Sequence, residues 1–189
     1  ELTFVEPGEL VNNIDKKHTI DFYGLNLEEK DLFDNPLSLK DYKECSIQEQ
    51  ATNCLGLEHK EIRPRIAIPD KPRKIKGKYV CIAVQSTAQC KYWNLKGGWD
   101  AIVKYLRKKG YKVVCIDKHN QFGIEGHWNF IPKGVIDRTG CTIPEAISLL
   151  KYSDFHVGIS TGLSWIAWAL GKDVILISGF TNKETEFYT

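Results

Sequence analysis

From Tyr79 to Ile177 short apolar runs alternate with amphipathic stretches, and this alternation restricts the possible folds more than any other feature of the chain. Tyr79-Val80-Cys81-Ile82-Ala83-Val84 is a continuous apolar run, the pattern of a strand buried on both faces. Asn94 can N-cap a helix in which Leu95, Trp99, Ile102, Val103 and Leu106 recur at helical spacing, with Gly110 placed to end it. Val113-Val114-Cys115-Ile116 reads as a second buried strand. A long loop follows, in which Val135-Ile136 is a short apolar piece. Thr142-Ile143-Pro144-Glu145 makes a capping-box start for a helix that turns Ala146, Ile147 and Leu150 inward. Phe155, Val157 and Ile159 form the next strand, Gly162 to Leu170 the next helix with Gly171 as its stop, and Val174 to Ile177 the last strand. Strand–helix alternation at short spacing builds right-handed βαβ units on a parallel sheet. Residues 79–189 are therefore expected to form a Rossmann-like α/β domain.

The rest of the chain is less regular. Residues 1–70 are polar and rich in turn signals, and their clearest helix is Ile47 to Leu55, with Ile47, Ala51, Cys54 and Leu55 on one face. This segment reads as the remnant of a preceding domain. Residues 71–78 (KPRKIKGK) carry five basic side chains and read as a solvated linker. With 42% hydrophobic residues in 189 the chain is too apolar for disorder. Its 26 basic and 24 acidic residues give a net charge of +2, no pull toward nucleic acid or a membrane surface. No apolar stretch is long enough for a membrane span, and no signal segment opens the chain.

The six cysteines (Cys45, Cys54, Cys81, Cys90, Cys115 and Cys141) include no C-x-x-C pair and match no common zinc spacing. Two of them lie inside strands, which suits the reduced thiols of a cytoplasmic protein better than a disulfide framework. The chain contains no Met, even at position 1, so it is expected to begin inside a longer reading frame.

In an open parallel sheet, ligands bind beyond the carboxyl ends of the strands, where helix N-termini offer free N–H groups. Two loops there could carry chemistry. Gly158-Ile159-Ser160-Thr161-Gly162-Leu163-Ser164 runs from a strand straight into a helix; its N–H groups and hydroxyls would make an anion cradle, or simply an αβ turn rich in small residues. Ser86-Thr87-Ala88-Gln89-Cys90-Lys91 follows the first strand, and Thr87 and Lys91 could place a hydroxyl and a cation against a diphosphate; the alternative is a surface loop with a solvated Lys. Asp117, just past the second strand, could hold a ribose hydroxyl or be a turn Asp. G-x-G-x-x-G and G-x-x-x-x-G-K-[ST] are both absent after the strands, against an NAD-type site and a P-loop. None of the five histidines has H-E-x-x-H spacing.

Thr161-Gly162-Leu163-Ser164, followed by Ile166-Ala167-Trp168-Ala169-Leu170-Gly171 and an apolar strand, resembles the donor-binding signature of glycosyltransferase family 9, the ADP-heptose-dependent heptosyltransferases of GT-B fold. Ser86-Thr87 with Lys91-Tyr92-Trp93 resembles that family's Thr–Lys–Trp segment. Two positions depart: Ser160 stands where the family has Asp or Asn, and Trp165 where it has His. Gly162-Leu163-Ser164-Trp165-Ile166-Ala167-Trp168-Ala169 together with Gln89-Cys90-Lys91-Tyr92-Trp93 is most similar to the bacterial autotransporter heptosyltransferases, which attach heptose to serine hydroxyls of adhesins. The resemblance covers 79–189 well and 1–70 loosely.

It implies that 79–189 is the C-terminal nucleotide-sugar domain of a GT-B enzyme, with 1–70 a remnant of the N-terminal acceptor-side domain. Thr161, Gly162, Leu163 and Ser164, with Ser160, would hold the diphosphate of a nucleotide-sugar donor. Lys91, with Ser86 and Thr87, would offset the charge growing on the leaving diphosphate without a metal, and Asp117 would hold the ribose. The acceptor would be a hydroxyl of a protein or glycan, and the reaction would invert the anomeric centre. The family's base is an Asp in a Gly-rich loop that 1–70 does not contain, so it is expected upstream of Glu1, leaving a chain that binds donor without turning it over. Iron, held by a Cys cluster in the autotransporter-modifying relatives, is not carried over to these six cysteines. A non-catalytic nucleotide-sugar-binding module, a GT-B enzyme using a UDP-sugar and a purely structural α/β domain remain the alternatives.

Overall fold

A computed structural model describes residues 46–54, 57–124 and 127–178. The chain divides into two compact units, of which one, Ile62–Asn182, carries the sheet. Helix α1 (Ile47–Cys54) belongs to the other; Ser46 Oγ caps it by accepting the Glu49 N–H at 3.1 Å.

In the sheet-bearing unit the apolar runs form β1 (Tyr79–Ala83), β2 (Lys112–Cys115), β5 (Ile136–Asp137), β6 (His156–Gly158) and β7 (Val174–Leu176). Every pairing among them is parallel, in the order β5-β2-β1-β6-β7. The expected α/β fold is therefore present. β1 lies at the centre and is buried along its whole length, as its uninterrupted apolar sequence requires. One face packs Ile75, Cys81, Val114 and Leu150 with Ala167; the other packs Val80, Ile82, Val103 and Val113 with Val157. Burial pushes the Cys81 and Cys115 thiols well up, so neither is a thiolate at neutral pH.

The helices follow local chemistry. Helix α3 (Ile143–Tyr152) opens with the capping box, the Thr142 N–H donating to Glu145 Oε2 at 3.1 Å. Helix α4 (Gly162–Ala169) ends before Gly171, whose φ of 73° is the left-handed conformation that suits Gly at a helix stop. Helix α2 (Gly98–Lys108) differs from expectation. It begins one turn after Asn94, because Gly97 at φ 74° breaks the helical path and the 95–98 stretch closes as a turn, Gly98 N–H to Leu95 O at 2.9 Å. Leu95 is accordingly exposed, while Val103 and Leu106 are buried.

The basic 71–78 segment is anchored at several points. Ile75 is buried in the core, Lys74 pairs with Glu145 at 2.9 Å, and the Arg73 guanidinium sits 5.6 Å from the centroid of the Tyr79 ring. Upstream, Arg63 lies over the Trp168 ring at 5.6 Å. Residues 62–78 thus pack with the sheet as one unit.

Tyr79 ties β1 to α3, its hydroxyl donating to Leu149 O at 2.6 Å in a fully buried setting. Tyr79→Phe is expected to lower unfolding free energy by about 1–2 kcal/mol, since it leaves a buried carbonyl without that donor. Denaturant titration measures it, and an unchanged midpoint would remove the bond from the list of stabilising contacts.

The stretch after β2, expected as loop, holds an antiparallel pair, β3 (Gln121–Ile124) and β4 (His127–Phe130). It stands apart from the main sheet. Phe122 packs on the core face and meets the Tyr92 ring edge-on at 5.2 Å.

Candidate functional site

The carboxyl ends of β1, β2 and β6 open into one crevice of about 770 Å³. The β1 loop contributes Ser86, Thr87 and Lys91, and the β6 loop contributes Ser160, Thr161, Gly162 and Leu163. Two segments far apart in sequence thus line one cavity, and Lys91 Nζ spans them, donating to Ser160 Oγ at 3.4 Å. The N–H groups of Gly162 and Leu163, in the first turn of α4, have no helical carbonyl to bond, so that end of the crevice is polarised for an anion. Thr161 caps α4 with its backbone only; its hydroxyl oxygen is buried without a hydrogen-bond partner among the described residues.

Ser164 does not join this set. It is fully buried, with its hydroxyl turned inward to donate to Ile159 O at 2.8 Å and lying 3.2 Å from His156 Nε2. Its N–H lies 3.1 Å from Thr161 O. The helix geometry explains the difference. The third residue of the first turn points back beneath the loop, whereas Gly162 and Leu163 face the opening. Ser86 is partly engaged as well, its Oγ accepting the Ala88 N–H at 3.4 Å and its carbonyl accepting the Tyr92 hydroxyl at 2.8 Å.

Asp117 lines the crevice floor but is 2% exposed. Its carboxylate accepts the Val84 N–H at 2.7 Å, the Gln85 N–H at 3.2 Å and the Cys115 thiol at 3.3 Å. Burial raises its pKa from 3.8 to about 6, with the hydrogen bonds from Val84, Cys115 and Gln85 working against that rise. Its main work is to clasp the end of β1 to the end of β2, which fixes where the Ser86–Lys91 loop departs. A second clasp lies beside it: the Gln85 side chain donates to His119 O and accepts the His119 N–H at 3.3 Å.

The aromatic part of the crevice lining is not legible in the sequence. Phe122 and Trp128 of the hairpin, Tyr92, Trp165 and His119 give it an aromatic character. The period-two pattern of Gln121–Phe130, with Gly123 inside it, was the available signal. Trp165, which departs from the family motif, lines the crevice as well.

The sequence profile of glycosyltransferase family 9 (heptosyltransferase) matches residues 30–187. The chain belongs to that family. It is 45% identical over 150 residues to the autotransporter heptosyltransferase Aah of Escherichia coli, covering 79% of this chain and 38% of Aah. It is 34% identical over 151 residues to the inactive autotransporter heptosyltransferase BimC of Burkholderia thailandensis, covering 74% of this chain and 33% of BimC. Its fold is similar to that of the dodecameric iron-containing heptosyltransferase TibC of enterotoxigenic E. coli, solved in complex with ADP-D-beta-D-heptose. The TM-score is 0.74 at 40% identity, over 80% of this chain and 40% of TibC. The chain thus spans well under half the length of these relatives.

Among the described residues no group of three or more His, Cys, Asp or Glu side chains could hold a metal ion. Among the described residues, too, no helix is long and apolar enough to cross a membrane.

Proposed function

We propose that the crevice binds the nucleotide and diphosphate of ADP-heptose, and that the protein transfers the heptose, with inversion, to a hydroxyl of a protein acceptor in the cytoplasm. The observation that carries this is the meeting of two chemistries in the lining of one crevice. A cation, hydroxyls and free helix N–H groups line it together with the aromatic rings of Tyr92, Phe122, Trp128 and Trp165. A ligand with an anionic diphosphate and a flat base suits both chemistries at once. The relatives named above, one solved with ADP-D-beta-D-heptose, support the choice of sugar and nucleotide.

In the transfer, the acceptor oxygen bonds to the anomeric carbon as the bond from that carbon to the diphosphate oxygen breaks. The acceptor's proton leaves to a base that the described residues do not supply. Lys91 and the Gly162 and Leu163 N–H groups face the diphosphate and meet the negative charge as it grows. The Asp117 clasp holds the Lys91 loop at the distance this requires. By this reading residues 79–178 belong to the donor-side domain.

Thermal denaturation with ADP and with UDP tests the donor. ADP at about 100 times its dissociation constant should add roughly 2.7 kcal/mol of stability, and UDP markedly less. Equal stabilisation by both would overturn the ADP-heptose assignment, and stronger stabilisation by UDP would favour a UDP-sugar. A second reading, a module that binds nucleotide-sugar without transferring it, is favoured by the 34% identity to an inactive heptosyltransferase. ADP binding without heptose transfer by the full-length protein would select that reading.

A further inference from the structure

His156 is a titratable side chain that the mechanism above does not use, and it lies directly beneath the loop that carries the helix N–H groups. It sits on β6 between β1 and β7, fully buried, in register with Cys81 and Val174. Ser164 Oγ lies 3.2 Å from its Nε2 and 2.8 Å from the Ile159 carbonyl. A serine hydroxyl has one proton, and a carbonyl can only accept it. With the Ser164 proton given to Ile159, Ser164 Oγ is left to accept from the Nε2–H tautomer of His156, whose Nδ1 is buried without a hydrogen-bond partner among the described residues. Burial holds this imidazole neutral by lowering its pKa to about 4. Gly158 makes the approach possible: a Cβ there would sit 2.6 Å from His156 Nε2 and 2.9 Å from Ser164 Oγ. The relay His156–Ser164–Ile159 thus joins strand, helix and loop at one buried point, and the residue after Ile159 is Ser160, the partner of Lys91.

We infer that His156 is a positioning residue for diphosphate binding: through Ser164 it holds the Ile159–Gly162 loop in the shape that presents Thr161, Gly162 and Leu163 to the crevice. The inference rests on the diphosphate reading of that crevice. It assigns His156 and Ser164 a role away from the ligand, since neither lines the cavity. It gives the inward-turned Ser164 hydroxyl a role as the link between His156 and the loop. With both hydrogen-bonding roles of the hydroxyl satisfied, the loop has a single low-energy path over it.

The test compares ADP and AMP affinities, by isothermal titration, for the intact chain and for His156→Leu, His156→Gln and Ser164→Ala. AMP lacks the distal phosphate and engages fewer of the loop's donors. His156→Leu should weaken ADP binding about tenfold and AMP binding much less, the size expected when one buried hydrogen bond is removed. His156→Gln retains an N–H donor of similar reach and should restore most of the ratio. Ser164→Ala should reproduce the loss, and the double variant His156→Leu/Ser164→Ala should be no worse than either single one. Should His156→Leu fail to fold, Ser164→Ala carries the test, because it deletes one atom. A merely structural role lowers the melting temperature and leaves the ADP-to-AMP affinity ratio unchanged; an unchanged ratio in Ser164→Ala overturns the positioning role. Absence of ADP binding by the wild-type chain overturns the diphosphate reading and this inference with it, an outcome distinct from ADP binding that the variants leave untouched.

Discussion

Replacing His156 by Gln is expected to change the pH dependence of folding stability by about 3 kcal/mol between neutral pH and pH about 4. Burial lowers the His156 pKa from 6.5 to about 4, so in this range the unfolded chain takes up a proton that the folded one refuses. The stability tied to neutral His156 is complete above 6.5 and is lost as the pH falls toward 4. Asp117 works in the opposite sense. Its folded pKa is raised from 3.8 to about 6, so the stability it contributes is complete below 3.8 and is lost as the pH rises through 6. Between about 4 and 6 the two slopes oppose each other, each near 1.4 kcal/mol per pH unit. The folded chain holds its proton on Asp117, and the unfolded chain holds its own on His156.

The consequence is specific. Removing either group should expose the slope of the other. His156→Gln should gain stability relative to wild type on acidification, and Asp117→Asn should lose it more steeply than wild type. Urea unfolding of the three proteins at half-unit pH steps measures this as differences, which cancel the titration of all other groups. A constant difference between His156→Gln and wild type across the range would show that His156 is not buried in a neutral state.

The second large effect concerns the ligand. Lys91→Ala is expected to weaken ADP binding by roughly 10- to 150-fold, the range for a lost charge-assisted hydrogen bond, while AMP binding changes little. Lys91 is half-buried and reaches Ser160 across the crevice at 3.4 Å, so its ammonium is already placed between the two loops before any ligand arrives. The loss should shrink at high salt. Lys91→Arg should recover part of it, because a planar guanidinium carries the charge but not the compact shape of the ammonium. Titration of ADP and AMP against both variants decides the matter, and unchanged ADP affinity in Lys91→Ala would return this residue to the solvated surface.

Much of the fold follows from local pattern. A run such as Tyr79–Ala83, apolar at every position, can be stable only with both faces covered, and that requirement alone places it at the centre of a parallel sheet. Thr142 and Glu145 start α3 through bonds that span only three residues, and Gly171 stops α4 by its own backbone conformation. Such features act within one turn of chain and are therefore readable without a partner. Two local signals compete at the start of α2: Asn94 is a good cap, but Gly97 takes a positive φ and moves the start past it. The β3–β4 pair carries a period-two pattern, but Gly123 and Gly126 fall inside it and read as turn signals, so the stretch looks like loop in sequence.

The sequence by itself determined the chemistry available at each loop: hydroxyls and glycine at 160–164, a hydroxyl and a cation at 86–91, a carboxylate at 117. Only the tertiary structure decided which of these meet. Whether Lys91 stands opposite Ser160 depends on β1 and β6 being neighbours in register, a pairing of segments some seventy residues apart. What the inward Ser164 hydroxyl bonds depends on His156 lying beneath it, and whether Asp117 is a ligand or a clasp depends on two backbone N–H groups just past the end of β1. Residue type fixes what a side chain can bond, but its partner and its exposure to water are set by long-range packing, and those two decide its role.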